Sequence, residues 1–341
     1  MSSSTSAAAA EFARRRQSPV QRLQSLLHSY PWLSPLILFI ITFIAFSILN
    51  PRFAQPGGVS ILIQQTAIVA CLGIGQTLII LTAGIDLSVG AITILAMMIM
   101  ASLAADGGMN GLLALLIGIA LAVAAGFLNG ILVTRVNLPP FIVTLGTLSI
   151  FTAIALLYSG GSSIQQDKLP GILNFLGEGF GPRGGFRLTW GVVMVVLLYA
   201  IVSFALSQTA WGRHVYAVGD DPESARLSGV ASKRVLLSVY TVAGLIYGLA
   251  AWALIGRSGA ATPNAIPDAN LASITAVVIG GTSLFGGRGR LIGTLLGALI
   301  VQSFSFGLSL AGVNQQWRLF ATGVLVLVAV TVDQWIRKVK A

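Results

Sequence analysis

Charge is what this chain lacks. Only 9% of its 341 residues are Asp, Glu, Lys or Arg, where a water-soluble domain carries about 25%. A chain so poor in charge cannot cover a water-facing surface, which excludes a soluble enzyme or binding module. Cysteine is reduced to Cys71, inside an apolar run, so neither an intrachain disulfide nor a cysteine metal cluster can form. His28 and His214 stand in polar segments far from other ligands and read as solvated or interfacial histidines, with no metal site. Lysine is rare as well. The residues before Lys168, Lys233, Lys338 and Lys340 are Asp167, Ser232, Arg337 and Val339. A phosphate loop of the form Gly-x-x-x-x-Gly-Lys-Ser/Thr needs glycine there, so the chain has no ATP site of that kind.

What is abundant is apolar sequence: 55% of residues are hydrophobic and the mean hydropathy is +0.89. Runs long enough to cross about 30 Å of hydrocarbon lie near 33–50, 60–82, 87–104, 110–134, 140–159, 189–208, 235–255, 270–285, 291–310 and 317–335. The expected fold is all-α, a polytopic membrane helix bundle of about ten transmembrane helices. The third and eighth runs are short, as broken or re-entrant segments would be. The runs are continuously apolar rather than alternating, which excludes a β-barrel.

Cation positions orient the bundle. With both termini cytoplasmic, the inner segments hold Arg14, Arg15, Arg16, Arg22, Arg135, Arg213, Arg226, Lys233, Arg234, Arg288, Arg290, Arg337, Lys338 and Lys340, fourteen against six outside. Such a bias is expected of cytoplasmic loops, so the net charge of +10 needs no nucleic-acid partner. Trp32, Trp190, Trp211, Trp317 and Trp335 fall at run ends, where an amphipathic ring meets the bilayer interface. No cleavable signal peptide is visible; residues 1–28 read as a cytoplasmic tail. Residues 29–338 form the transmembrane domain, with an outer loop at 160–188 and an inner loop at 209–234, and 339–341 are a short tail. Gly126-x-x-x-Gly130, Gly244-x-x-x-Gly248 and Gly293-x-x-x-Gly297 predict close helix contacts, and Gly280–Gly287 reads as tight packing or a chain break.

Within the apolar sequence, Asp86 of Thr82-Ala-Gly-Ile-Asp-Leu-Ser-Val-Gly90 is nearly the only ionisable group. An acid at membrane depth marks a cavity, a pathway or a chain break, and here it either caps the next helix with help from Ser88 or meets substrate. Gln65 and Gln76 lie eleven residues apart, about three turns. On one face they either bond to other helices or line a path for a polar solute. Asn129, Thr144, Thr147 and Gln302 are further pathway candidates. An ion-coupled carrier keeps several ionisable groups in its spans. Their scarcity points to an outside energy source, and no converging set of acids, bases or metal ligands suggests an enzyme.

The inner loop carries Asp220-Asp221-Pro222-Glu223-Ser224-Ala225-Arg226-Leu227-Ser228-Gly229, which predicts a two-turn helix. Asp221 suits the N-cap, Pro222 the first helical position, Glu223 the positive end of the dipole and Gly229 the left-handed stop. A helix so short is unstable alone, so it must dock, on its own bundle or on a partner.

Glu223-Ser224-Ala225-x-x-x-Gly229 resembles the Glu-Ala-Ala…Gly loop of ABC importer permeases, with Ser224 as a small-for-small departure. Gly84-Ile-Asp-Leu-Ser-Val-Gly90, Leu138-Pro-Pro-Phe-Ile-Val-Thr-Leu-Gly146, Trp211-Gly-Arg-His-Val-Tyr-Ala-Val-Gly219 and Ala276–Gly287 resemble the ribose/xylose/arabinose-type sugar permeases. Gly219–Glu223 and the ending Asp333–Lys338 are most similar to the fructose-type member. The resemblance implies a monosaccharide permease of a bacterial cytoplasmic (inner) membrane, working by alternating access. It implies a second copy of the permease, a cytoplasmic ATP-binding subunit that engages Asp220–Gly229, and a periplasmic sugar-binding protein at the outer face. ATP and magnesium would then belong to the partner, with no cofactor in this chain. An ion-coupled or facilitative carrier working without an ATPase is the alternative.

Overall fold

A computed structural model of the protein describes residues 32–182 and 185–338. The tail 1–28 with its arginines, Arg183 and the tail 339–341 lie outside the described residues, as do the side chains of 332–338.

Each apolar run carries a helix. They are α1 (Leu33–Leu49), α2 (Pro56–Leu81), α3 (Val89–Ala105), α4 (Gly111–Thr134), α5 (Pro140–Ser159), α7 (Trp190–Gln208), α10 (Ser232–Ser258), α11 (Ala269–Ile279), α12 (Leu291–Leu310) and α13 (Gln315–Lys338). Between them lie the short α6 (Gly171–Asn174), α8 (Ala210–Asp220) and α9 (Pro222–Leu227). Local chemistry sets many of the ends. Pro56 and Pro140 open α2 and α5, where a missing N–H costs nothing. Asn110 caps α4, accepting from the amides of Leu112 (3.0 Å) and Leu113 (3.4 Å). The all-α expectation holds apart from two ribbons: β1 (Ile164–Gln165) with β4 (Ala260–Ala261), and β2 (Gly179–Phe180) with β3 (Leu188–Thr189).

Among the described residues, six helices are long and apolar enough to cross a membrane: α2, α4, α5, α7, α10 and α12. Two runs behave differently from a plain span. The eighth, read as 270–285, is helical only over Ala269–Ile279, about 16 Å of rise and too short to cross about 30 Å alone. The third begins at Val89, after an irregular stretch from Thr82 to Ser88.

Contacts define two ends. Asn50 Nδ2 donates to the Leu310 carbonyl, Ser60 meets Arg187, and β1 pairs with β4 at one end. At the other, Gly287 N–H donates to the Leu81 carbonyl, Tyr216 to that of Gly289, and Lys233 to Asn137 Oδ1. The segments expected from the cation bias to be cytoplasmic lie at the second end.

The bundle is built from two similar runs, α2–α5 and α10–α13, each a long helix, a short one after an irregular stretch, and two more. The packing repeats as well. α2 lies on α12 as α10 lies on α4, α10 touches α3 as α2 touches α11, and the long helices meet each other. The sharpest crossing is α4 on α10: methyl groups at Gly126 and Gly244 would overlap the carbonyls of Tyr240 and Ala122. Gly130 and Gly248 extend the same seam, and Gly293 and Gly297 set α12 against Gly280 and Ala276. All three small-residue motifs thus lie at helix contacts. Exposed Ile37, Ile41, Ile48, Ile142, Leu157, Val196 and Phe204 leave α1, α5 and α7 apolar outward, as lipid or another subunit requires.

Candidate functional site

Two places gather the polar residues of this bundle: the interior breaks that precede α3 and α11, and the helical loop 210–229 at the second end.

The first break follows Leu81. Thr82 Oγ1 donates back to the Ile79 carbonyl, Ala83 takes a left-handed conformation (φ 59°), and Gly84 N–H also returns to Ile79. Asp86, 1% exposed, then accepts from both the amide (2.7 Å) and the hydroxyl (2.6 Å) of Ser88. Asn129 Nδ2 of α4 donates to Ser88 Oγ (2.9 Å), and Thr144 Oγ1 of α5 donates to the Ile85 carbonyl (2.9 Å). Three helices therefore hold one turn. Asp86 closes the turn that leads into α3, with Ser88 as its partner. The N-cap itself is Ser88, whose own side chain makes no cap hydrogen bond. Tyr240 and Tyr247 of α10 flank the carboxylate.

The second break descends from β4. Residues 262–268 run irregularly to the start of α11, where Asn270 Oδ1 accepts from Gly90 N–H in the first turn of α3 (3.0 Å). Two helix starts thus meet inside the bundle. Beside them lies a cavity of about 170 Å³, lined by Gly90, Ala91 and Ile94 of α3, Leu148 and Thr152 of α5, and Pro263, Asn264 and Asn270.

At the second end, Asp221 caps α9 by accepting from the amides of Glu223 (2.9 Å) and Ser224 (3.1 Å) and from the Ser224 hydroxyl. These bonds hold its carboxyl below the usual carboxylate range. Gly229 follows in the left-handed conformation (φ 85°). The helix starts at Pro222 as expected but is six residues, shorter than two full turns, because it already ends at Leu227 with Ser228 as its C-cap. Ala225 is buried, whereas Glu223 and Arg226 pair across 3.0 Å in solvent and Leu227 is 76% exposed. The preceding α8 was not expected as a helix. Val215, Val218, Gly212 and Gly219 form its buried side. Gly219 sits where a methyl group would overlap the Leu81 carbonyl, and Gly286 and Gly287 pack on Gly219 and Asp220. Tyr216 Oη reaches Gly289 (2.8 Å), and burial raises its phenol pKa. The glycine-rich 280–290 segment is thus a chain break packed tightly on the loop.

Among the expected pathway residues, Asp86, Asn129 and Thr144 converge on the first break. Gln76 is fully buried, its amide without a protein partner, on the inner half of α2 where every face is covered. Gln65 and Gln302 are half-buried, Thr147 is buried with its hydroxyl directed to the Thr144 carbonyl, and none of the seven lines the cavity. The residues that do, Asn264, Asn270 and Thr152, were missed. Asn264 falls between two apolar runs, in a segment to which no role was given; the signal was the equivalent placement of Asn270 and Gly90, each second in its helix.

Residues 58–330 match the model of the family described as branched-chain amino acid transport system / permease component. The fructose import permease protein of Rhizobium meliloti is 48% identical over 336 residues, covering 97% of this chain and 93% of that protein. The ribose import permease protein of Bacillus subtilis is 38% identical, covering 89% and 92%. The D-allose transport system permease protein of Escherichia coli is 34% identical, covering 89% and 91%. No solved structure matches.

Proposed function

The chain belongs to the branched-chain amino acid transport system / permease component family, and from that membership we propose that it is the membrane subunit of an ATP-binding cassette importer for a monosaccharide. The fructose, ribose and allose permeases it is similar to support a sugar as cargo. Six helices long and apolar enough to cross a membrane, with three shorter apolar ones, support a multi-pass protein of the cytoplasmic membrane, and the ten-helix crossing pattern with both termini inside is part of the proposal.

One observation carries the mechanism. The capped helix α9 presents Glu223, Arg226 and Leu227 to the cytoplasm, while α8 clamps the same loop to the ends of α2 and the 280–290 turn. Force applied to α9 by a closing ATP-binding partner reaches the first break, which follows Leu81, and the 280–290 turn after α11 through that clamp, which is how a local closure becomes alternating access. ATP and magnesium are bound by the partner. A second copy of the permease covers the apolar outer helices on one side, and a periplasmic sugar-binding protein delivers cargo over 160–188.

The test is ATP hydrolysis and uptake by the chain reconstituted with its ATP-binding and sugar-binding subunits, scanned over fructose, ribose, allose and galactose. Stimulation by one sugar supports the reading and names the cargo. Uptake by the chain alone, without ATP, would replace it with a facilitative or ion-coupled carrier.

A further inference from the structure

The cavity at the second break has a chemistry of its own. Its polar lining is amide and hydroxyl: Asn264, Asn270 and Thr152. The first-turn amides of α3 and α11 have no acceptor within their own helices; that of Gly90 goes to Asn270 Oδ1 and that of Ala269 to the Ile266 carbonyl. Ile94, Leu148 and Ile266 supply apolar wall, and no charged side chain lines the space. Its volume, about 170 Å³, equals the share of roughly five or six water molecules in the liquid. A zwitterionic amino acid placed there would leave its ammonium group unpaired, which costs far more than an unpaired hydroxyl. A neutral polyol fits each feature: ring oxygens and hydroxyls accept from amides, hydroxyls donate to Asn side-chain oxygens, and C–H faces lie on the aliphatic wall.

Resting on the permease reading above, we propose that the cavity between α3, α5 and residues 263–270 is where a neutral monosaccharide pauses within the membrane. The site is built by both halves of the bundle at once, since Gly90 belongs to the first and Asn270 to the second. It is strapped to the outer face through β4, whose partner β1 lies in the 160–188 loop. A weak, transient site is what transport requires, since cargo held tightly would not leave.

The experiment uses the reconstituted importer. Thr152→Trp fills the space, and Asn264→Leu removes a polar group while leaving the Asn270–Gly90 bond. Both variants are checked for assembly with the ATP-binding subunit by co-purification. We expect sugar uptake to fall about tenfold or more in Thr152→Trp, and KM for uptake to rise in Asn264→Leu. Cys71 is the only cysteine and is buried, so a Cys71→Ala background accepts a probe. In that background Asn264→Cys should react with a small methanethiosulfonate, and the transported sugar, but not leucine, should slow the reaction. Wild-type uptake rates in assembled Thr152→Trp and Asn264→Leu, or labelling indifferent to sugar, would overturn the cavity while leaving the permease intact. ATP-independent or absent uptake by the wild-type assembly would overturn the permease reading and this inference with it.

Discussion

The amide of Gly287 donates to the carbonyl of Leu81 across 2.9 Å, joining the turn between α11 and α12 to the last residue of α2. Gly219 of α8 packs on the same carbonyl. One backbone oxygen is therefore the meeting point of the 210–229 loop and both halves of the bundle.

Gly219→Val should break that meeting point. The new side chain has no space beside the Leu81 carbonyl and Gly287 amide, and overpacking of this kind costs about 1–3 kcal/mol. The expected result is a lower thermal midpoint in detergent together with loss of ATP-driven uptake. Unchanged stability and uptake would mean the clamp is not needed.

Glu223→Arg separates coupling from folding. Glu223 and its partner Arg226 are both exposed, and a surface pair contributes at most about 1 kcal/mol. The variant should therefore insert and fold like the parent, yet lose most stimulated ATP hydrolysis because the charge presented to the partner is reversed. Normal uptake by this variant would sink the coupling role of α9.

The cap of α9 predicts a pH response with a definite sign. Hydrogen bonds from Ser224 and Glu223 depress the Asp221 pKa, so their stabilisation is present above the ordinary carboxylate value and is lost only as pH falls through the lowered one. Amide exchange in 222–229 should show constant protection from neutral pH down to the usual carboxylate range and loosen in stronger acid. Asp221→Asn keeps an acceptor at the cap and should remove the acid step. Loosening already near neutral pH would show that another group controls the loop.

At the first break, Asp86→Asn and Asp86→Ala divide turn geometry from charge. Asparagine still offers an oxygen to Ser88, whereas alanine strands a buried donor at a cost of about 1–3 kcal/mol. Asn should retain expression and most uptake, and Ala should lose stability measurably by thermal scan. A folded Asp86→Asn protein without uptake would show that the acid does more than hold the turn.

Much of this architecture was legible in the chain. The run at 33–50 became Leu33–Leu49, that at 60–82 became Pro56–Leu81, and Asp221, Pro222 and Gly229 marked α9 because caps act over three or four residues. Depth was not legible. Asn264, between Pro263 and Pro267, carries the local signature of a surface loop wherever the fold places it, and only the length of α11 reveals how far that loop descends. Helix α8 escaped for a related reason: Gly212 and Gly219 are poor helix formers, and their value lies in contact with Leu206 and Leu81, which no local rule contains.

The contact of Gly126 with Gly244 limits how the protein can move. Helices that touch through backbone have no rotamers between them to rearrange, and a shift along the seam would drive Cα of one into carbonyls of the other. α4 and α10 must then travel through any transport cycle as a single strut. A cross-link between α4 and α10 should therefore leave uptake intact.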